Sequence, residues 1–363
     1  GYRALGSHDR DAGNSSITAI GGSCLTNCTT GDRNTAIGGR SMEACTTGGY
    51  NVAVGQLAGV GITTGNSNVA VGFAALAKWY GGTTGSSNIG VGSYTLNELT
   101  SGNNNTAVGH HALKLATTGG SNTAIGHQAL DALTTATSTT ALGADAGGAV
   151  TTSGESTFIG AQCGTGVTTG SANTFVGAYC GRAVTSSTDN TSVGQDSFRY
   201  GTGSQNTCLG RAAGDFSGFT GSNNTIIGYN ADPSATDAAN EITLGNSSIA
   251  TLRCQVTSIT ALSDRRDKTD INTLDLGLNF VDALKPVKFK WNSREGILKD
   301  GTYEAGFIAQ DLQEVQKDND ADYLNLVLES NPEKLEAAPG KLIPILVKAI
   351  QELSAKVKAL ESA

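Results

Sequence analysis

A pentapeptide recurs along the first 245 positions, as in ITAIG, NVAVG and NTFVG. Polar and hydrophobic residues tend to alternate within it, and it ends in glycine. Fifteen such glycines occur, at positions 6, 21, 38, 55, 72, 92, 109, 126, 143, 160, 177, 194, 210, 228 and 245. Most neighbouring pairs are 17 residues apart, and one pair is 20 apart. A period this constant predicts a repeat array in which each unit forms one structural coil.

Aligning the units on their closing glycine gives columns of similar residues. The residue before the glycine (position −1) is Ile, Val or Leu in every unit, and position +3 is nearly always small. Position −4 is Asn in ten units, from Asn34 to Asn224, and position −7 is usually a turn glycine. We expect the Asn side chains to hydrogen-bond the turn backbone. Cysteines at position +3 should replace alanine in an internal stack.

A unit of 17 residues is too short for a strand–helix–strand repeat, which needs about 30 residues. It suits one coil of a parallel β-solenoid, with equivalent residues about 4.8 Å apart. The −1 aliphatics are predicted to point inward. Leu76, Leu96, Leu113 and Leu130, one place beyond the small column, are predicted to serve a second buried surface between chains. A lone coil encloses little core, so the sequence favours a homotrimeric rod.

A change in composition predicts a domain boundary near residue 250. Of the 49 glycines, 44 precede residue 251, whereas four of the five prolines follow it. Charged residues number 23 in residues 1–250 and 33 in the remaining 113. We therefore predict a repetitive fibre region over 1–250, a connecting strand over 251–262 and a second domain over 263–363. The fold class is mainly β, followed by an α+β domain that ends in a coiled-coil helix.

Net charge and hydropathy exclude two classes of partner. The net charge is −8, and neither half has the basic face that nucleic acid requires. No apolar run approaches the roughly 20 residues that span a bilayer, which argues against membrane insertion. The sequence begins with Gly1 inside a repeat, as expected for a piece of a longer protein. The seven cysteines lack zinc-ligand spacing, and free buried thiols are favoured over disulfides.

Three features of the repeat region allow a functional and a structural interpretation. His110 and His127 share a column and should stack; surface side chains are favoured over a metal-ligand pair. Thr-Thr pairs beside the turn glycines indicate turn chemistry rather than an ice-binding surface. The 20-residue unit between Gly72 and Gly92 carries Trp79 and Tyr80, which either fill the widened coil or stack on receptor sugars.

The last 113 residues alternate strand and helix patterns. Residues 251–262 alternate like a strand. A helix is predicted up to Pro286, then a strand at VKFKWN, then a strand that runs into a helix at YEAGFIAQDLQEV. The final helix has heptad spacing. Its seam consists of Ile343, Leu346, Ile350, Leu353, Val357 and Leu360. β-Branched residues alternating with leucine favour dimers, so this seam alone does not indicate a trimer.

The stretch ALSDRRDKTDI at 261–271 crowds charges around Ser263. Ser263, Asp264, Arg266 and Lys268 form an S-D-x-R-x-K string. That string resembles the motif of the endosialidase-type C-terminal intramolecular chaperone of phage tail fibres and tailspikes. The resemblance continues through the GFIAQ stretch that ends at Gln310 and through LIPILVKAIQEL. The fibre part is more loosely similar to the head repeats of trimeric adhesins.

The resemblance implies an autoproteolytic trimerisation domain. Ser263 would attack the carbonyl of Leu262, and Lys268 would be the base if desolvation lowers its pKa. Five residues of separation allow a turn to fold the amine back onto the hydroxyl. Asp267 departs from this picture, because a neighbouring carboxylate would raise the lysine pKa. The structural alternative is a charged loop between domains.

Taken together, the sequence predicts the distal part of a phage tail fibre that is made in the host cytoplasm and carried on the virion. The partners implied are two further copies of the chain, a host-cell receptor that is a glycan, and other tail proteins bound through a preceding segment. No cofactor or metal is expected. Two alternatives remain: a glycan-degrading tailspike, which needs paired carboxylates, and a bacterial trimeric adhesin, which needs a membrane anchor. The solenoid offers only scattered acids for the first.

Overall fold

The protein divides into two compact units, Gly1–Asn246 and Ser247–Ala363. The computed structural model describes residues 2–6, 16–249, 251–253, 255, 263–291, 303–333 and 335–362. The first unit is a parallel β-solenoid and the second combines helices with two small sheets. The fold class predicted from the sequence is confirmed.

The first unit contains fourteen strands of three residues each. They are β1 Thr18–Ile20, β2 Thr35–Ile37, β3 Val52–Val54, β4 Val69–Val71, β5 Ile89–Val91, β6 Thr106–Val108, β7 Thr123–Ile125, β8 Thr140–Leu142, β9 Thr157–Ile159, β10 Thr174–Val176, β11 Thr191–Val193, β12 Thr207–Leu209, β13 Thr225–Ile227 and β14 Ile242–Leu244. Each strand pairs in parallel with the next in chain order, and equivalent residues are in register. One coil therefore contributes one rung of a single sheet.

The predicted direction of the −1 aliphatics is wrong. The middle residue of each strand (position −2) points into the coil and is buried in β2–β13, as Ala107 and Ala124 illustrate. The first and third residues point outward because neighbouring side chains of a strand alternate between faces. Ile125 and Leu142, both at position −1, are 38% and 45% exposed. A three-residue strand has only one inward position, and small residues occupy it in most coils.

The small column at position +3 is buried, as predicted. Ala129 and Ala146 are fully enclosed, and so are the cysteines Cys163 and Cys180 that replace alanine there. The six described cysteines are free thiols. One of these thiols is Cys208 at position −2, and burial raises its pKa to about 12. These side chains therefore belong to the core of the solenoid.

The leucines at position +4 belong to the core of a single chain, not to a surface between chains. They are Leu76, Leu96, Leu113 and Leu130, and each is fully buried. Their backbone is left-handed, with φ of 49° to 51°. That conformation turns the side chain back over the inward residue of the same coil. The interior thus consists of positions −2, +3, +4 and +7.

Four buried phenylalanines fill the later coils, where alanine and leucine fill the earlier ones. Phe158 and Phe175 are strand-centre residues, with ring centroids 5.9 Å apart. Phe198 follows at 6.4 Å from Phe175, and Phe219 at 5.8 Å from Phe198. Edge-to-face and tilted contacts at such distances are favourable for aromatic rings. The stack gives this part of the solenoid a larger apolar core.

The asparagines at position −4 form a buried ladder along the coils, as predicted. The Nδ2 of Asn105 donates to the Gly119 carbonyl at 2.9 Å, and its Oδ1 accepts the backbone N–H of Asn122 at 3.1 Å. Thr139 and Ser156 interrupt the ladder, yet each still makes side-chain bonds to the backbone. Buried backbone groups that would lack partners are satisfied in this way.

The second unit has its own small core. Its elements are α1 Leu278–Ala283, β15 Val287–Phe289, β16 Glu304–Gly306, α2 Ala309–Asp318, β17 Val327–Leu328, β18 Glu336–Ala337 and α3 Ile343–Glu361. Strands β15 and β16 pair antiparallel, and so do β17 and β18. Phe280 of α1 packs with Leu312 of α2 and Ile345 of α3. Among the described residues, none of the helices has both the length and the apolar character to cross a bilayer.

The helix predicted before Pro286 is present, whereas the strand predicted before residue 263 is only partly described. The helix before Pro286 ends at Ala283, because a proline disfavours helical backbone at the residue before it. The strand predicted over 251–262 falls largely outside the described residues. Residues 251–253 and 255 are described and lie in no strand.

The heptad seam of α3 is exposed in the single chain. Its six residues are between 42% and 78% exposed. The helix contacts its own unit through Ile345 and Ala349 instead. In addition, Glu352 accepts the backbone N–H of Leu278 at 2.8 Å and so caps α1. Helix α3 therefore uses one face for its own unit and leaves the heptad face uncovered.

Candidate functional site

The charged stretch after residue 262 forms a short 3₁₀ turn at Arg265–Asp267. Asp264 is its N-cap and accepts the backbone N–H of Arg266 at 2.8 Å. Aspartate is a favoured cap because its carboxylate satisfies an amide that has no partner in the turn. Lys268 follows with extended backbone. The turn reverses the direction of the chain between Ser263 and Lys268.

This reversal brings the Lys268 amine to the Ser263 hydroxyl. The Nζ of Lys268 donates to the Oγ of Ser263 at 2.6 Å. Both residues are exposed. The five-residue spacing thus produces the contact predicted from the sequence, within one chain. What one chain does not provide is removal of the pair from water.

A second pair fixes the turn beside the serine. Arg266 donates through Nε to Asp264 Oδ1 at 3.1 Å and through Nη2 to Oδ2 at 2.7 Å. The hydrogen bonds from Arg266 hold the pKa of the Asp264 carboxyl below its usual value. In return, the carboxylate raises the pKa of Arg266. Asp264 and Arg266 therefore pair with each other rather than with Ser263.

The remaining predicted residues lie apart from this contact. Asp267 is exposed, and it donates its backbone N–H to the Asp264 carbonyl at 3.2 Å. Gln310 is an exposed residue of the first turn of α2; among the described residues, no hydrogen bond joins it to the pair. Leu262 lies outside the described residues.

A serine hydroxyl bonded to an amine has the parts of a nucleophile and its base. In the observed contact the amine donates to the hydroxyl. Proton abstraction requires the reverse, in which a neutral amine accepts the Oγ proton. Burial disfavours the charged form of lysine and would move the pair in that direction. The geometry is therefore suited to chemistry that begins when the turn is covered.

The predicted receptor loop presents its aromatic side chains to solvent. Trp79 is 50% exposed and Tyr80 is 88% exposed, so neither fills the widened coil. The guanidinium of Arg40 lies 5.0 Å from the centre of the Trp79 ring. Nearby, Lys78 pairs with Glu98 at 2.6 Å. Trp79, Arg40 and Lys78 line a cleft of about 290 Å³.

The predicted stacking of the two histidines is present and includes a third. The rings of His110 and His127 are 5.4 Å apart and nearly parallel. His111 stacks on His110 at 3.7 Å and contacts Tyr94 edge-on at 5.5 Å. Burial and the nearby His110 lower the pKa of His111. Sequence columns missed His111 because position +2 holds histidine in only one other unit, at His8, six units earlier in the array.

Comparison with known families locates the similarity in the second unit. Residues 263–321 match the family model described as chaperone of endosialidase. The match begins at Ser263 and continues through Lys268, Gln310 and α2. No curated protein and no solved structure matches the chain significantly. The segment that carries the Ser263–Lys268 contact is therefore similar in sequence to an endosialidase chaperone.

Proposed function

We propose that the chain is the distal part of a phage tail fibre whose C-terminal unit directs assembly and then cuts itself from the shaft. The observation that supports this most is the endosialidase-chaperone match over 263–321, on the C-terminal side of a long β-solenoid. A rigid rod followed by an assembly domain is the organisation expected of a tailspike or tail fibre. The Ser263–Lys268 hydrogen bond adds a chemical means of separation.

The proposed reaction is a single cleavage of the Leu262–Ser263 bond. Lys268 accepts the Oγ proton while Oγ attacks the Leu262 carbonyl carbon. The peptide C–N bond then breaks, the Ser263 nitrogen takes up the proton, and an ester joins Leu262 to Oγ. Water hydrolyses the ester, which leaves a carboxylate on Leu262 and a free hydroxyl and amine on Ser263. No cofactor takes part.

Assembly would control this reaction through desolvation. Within one chain, Lys268 and Ser263 are exposed, so water stabilises the charged amine. Covering the turn with neighbouring chains would remove that water and favour the neutral base. The exposed heptad seam of α3 offers the contact that brings chains together. Cleavage after correct assembly would leave the shaft without its chaperone and kinetically trapped.

Host attachment is assigned to the solenoid. A rod presents its turns to partners, and the longest unit carries the exposed Trp79 and Tyr80 beside the Arg40 and Lys78 charges. Because Arg40 and Lys78 are ion-paired with Glu43 and Glu98, the exposed rings lie in a setting close to neutral, which suits a neutral glycan. In this proposal the protein is part of the virion and is joined to other tail proteins.

Denaturing electrophoresis over time tests the cleavage. Wild-type protein should release a fragment of about 100 residues, whereas Ser263→Ala and Lys268→Ala should remain intact. The matched control is Ser258→Ala, which removes a hydroxyl five residues before the motif and should cleave like wild type. Intact mass should place the cut between Leu262 and Ser263. A wild-type chain that stays whole under every folding condition would show that this unit is a retained assembly domain.

A further inference from the structure

The outer face of the fourteen-stranded sheet carries an unbroken row of aliphatic side chains beside a row that is mostly threonine. It consists of the first and third residues of β1–β14, which we call the sheet face. The first residues are threonine in ten strands and Val or Ile in the others, and the third residues are all Ile, Val or Leu. No charged side chain occurs among them. A surface in water normally interrupts such a row with charges.

Large aliphatic side chains on this face are partly exposed in the single chain. Ile125, Leu142 and Leu209 are exposed by 38%, 45% and 47%. They are in register with their neighbours on adjacent strands, so their exposed parts form one continuous row. The core of the same coils is already filled by the residues at positions −2, +3 and +4. These aliphatics therefore contribute nothing to the interior of one chain.

The dimensions of the sheet face are those of a protein interface. Thirteen spacings of about 4.8 Å give a length of about 62 Å, and two outward side chains span a width of about 10 Å. The area is then roughly 600 Å² per chain for the aliphatic row and the threonine row together. A stable interface buries about 800 Å² on each partner. The sheet face by itself therefore supplies about three quarters of that area.

We propose that the sheet face packs against the sheet faces of two further copies of this chain, with all chains parallel and in register. This inference rests on the proposed self-assembly and specifies the surface that the shaft uses. Another rod with the same rung spacing matches an uncharged row of this length from one end to the other. The rungs of β3–β5 carry aliphatic residues at both outward positions. A parallel, in-register arrangement places them against each other.

Parallel packing also agrees with the second unit. The exposed seam of α3 has heptad spacing, so copies whose helices run in the same direction can pack along it. Parallel solenoids bring the C-terminal units of the copies to the same end of the assembly. One arrangement of chains therefore covers both of the exposed apolar rows.

Charges introduced on the sheet face provide the test. The full chain with Ser263→Ala, which prevents loss of the second unit, serves as the parent. The test variant adds Val108→Glu and Ile125→Glu, which are paired on β6 and β7. The control adds Leu115→Glu and Ala132→Glu, on the same two coils but away from the strands. Leu115 is 42% exposed, which matches Ile125.

If the face is an interface, the parent has the mass of three 36.8-kDa chains by light scattering. The test variant should then lose that mass or melt about 10 °C below the control, because the added carboxylates are buried against apolar rows. If α3 alone assembles the chain, both variants keep the trimer mass and melt together, and the sheet face is excluded. A monomeric parent would overturn both this inference and the proposed self-assembly.

Cross-linking gives a second and independent measurement. Thr123→Cys and Ile125→Cys are introduced separately on β7 in the same parent, with Leu115→Cys as the control. Mild oxidation should join chains through the β7 cysteines, because a shared axis brings equivalent residues close together. The control and the parent should give only background cross-linking. Equal cross-linking in all samples, or none in the β7 variants, would contradict the parallel arrangement.

Discussion

The ring of Phe158 occupies the space that a side chain on Gly164 would need. Both residues belong to the same coil, at positions −2 and +4, and a Cβ built on Gly164 overlaps the ring. Phe175 and Gly181 repeat the relationship one coil later. In earlier coils the small residue stands at position −2 and the large one at position +4, as with Ala107 and Leu113. In these coils the two positions together hold one large side chain.

This relationship predicts that the two sizes can be exchanged. Gly164→Leu alone should destabilise the solenoid by about 1–3 kcal/mol through overpacking. Phe158→Ala alone should cost about 3–5 kcal/mol through the cavity. The double variant reproduces the pattern of an earlier coil and should recover more than 1 kcal/mol of the summed losses. Chemical unfolding of the four proteins gives the coupling, and simple additivity would contradict the shared volume.

The small column at position +3 should resist enlargement. Ala129 is fully buried beside the Leu113 coil, so Ala129→Leu forces extra volume into a filled interior. We expect a loss of about 1–3 kcal/mol per chain. Ala144→Leu is the control, since Ala144 is exposed on the next coil. Equal melting temperatures for the two variants would argue against this assignment of the core.

The asparagine ladder predicts that two substitutions of Asn105 destabilise the protein to different degrees. Asn105→Ala leaves the buried N–H of Asn122 and the Gly119 carbonyl without side-chain partners. The expected loss is about 1–3 kcal/mol. Asn105→Ser should lose less, because Ser156 accepts the N–H of Asn173 at the equivalent place in another coil. Thermal unfolding of both variants measures the difference, and equal losses would count against the bond to the N–H.

Asp215 is predicted to reduce the stability of the folded protein as pH rises. Burial raises its pKa to about 6, with Arg199 opposing the effect. Among the described residues, Asp215 Oδ1 and Arg199 Nε are buried atoms without a hydrogen-bond partner. A folded-state pKa above the unfolded value penalises the folded state as pH rises from about 4 through 6. Ionisation of Asp215 therefore destabilises the protein at neutral pH.

The matching variant is Asp215→Asn. At pH 7.5 it should stabilise each chain by about 1 kcal/mol, after allowance for partial exposure, and the gain should disappear near pH 4. Asp237→Asn serves as the control, because Asp237 is exposed. Melting curves at both pH values provide the measurement. A gain that is the same at pH 4 and pH 7.5 would rule out titration of Asp215 as the cause.

The proposed cleavage predicts an effect of Asp267. Its carboxylate is adjacent in sequence to Lys268, and a carboxylate close to an amine favours the charged form of that amine. Asp267→Asn should therefore speed release of the C-terminal fragment, and the rate for wild type should rise with pH because only the neutral amine accepts a proton. Asp270→Asn, two residues beyond Lys268, is the control. A fragment that appears at the same rate from all three proteins would remove Asp267 from the mechanism.

The sequence predicted the spacing of the coils better than the direction of their side chains. A fixed period aligns equivalent residues such as Asn105 and Asn122 in one column. These polar residues are buried where their side chains hydrogen-bond the backbone of a turn. Periodicity does not state which column faces inward, and Ile125 was placed on the wrong face. The left-handed backbone that turns Leu113 into its own coil leaves no trace in a sequence without glycine there. The local contact of Ser263 with Lys268 was predictable because a short turn decides it.

Each strand pairs in register only with its neighbours in chain order, so the length of the solenoid is proportional to its number of coils. Removing or adding one whole 17-residue unit should change its length by about 4.8 Å and leave every remaining coil with a neighbour of the same kind. The reach of the shaft can therefore vary by gene duplication or deletion without redesign of its core. An indel that is not a whole unit would instead displace the Asn105 column from its partners, so changes in length should occur in steps of one coil.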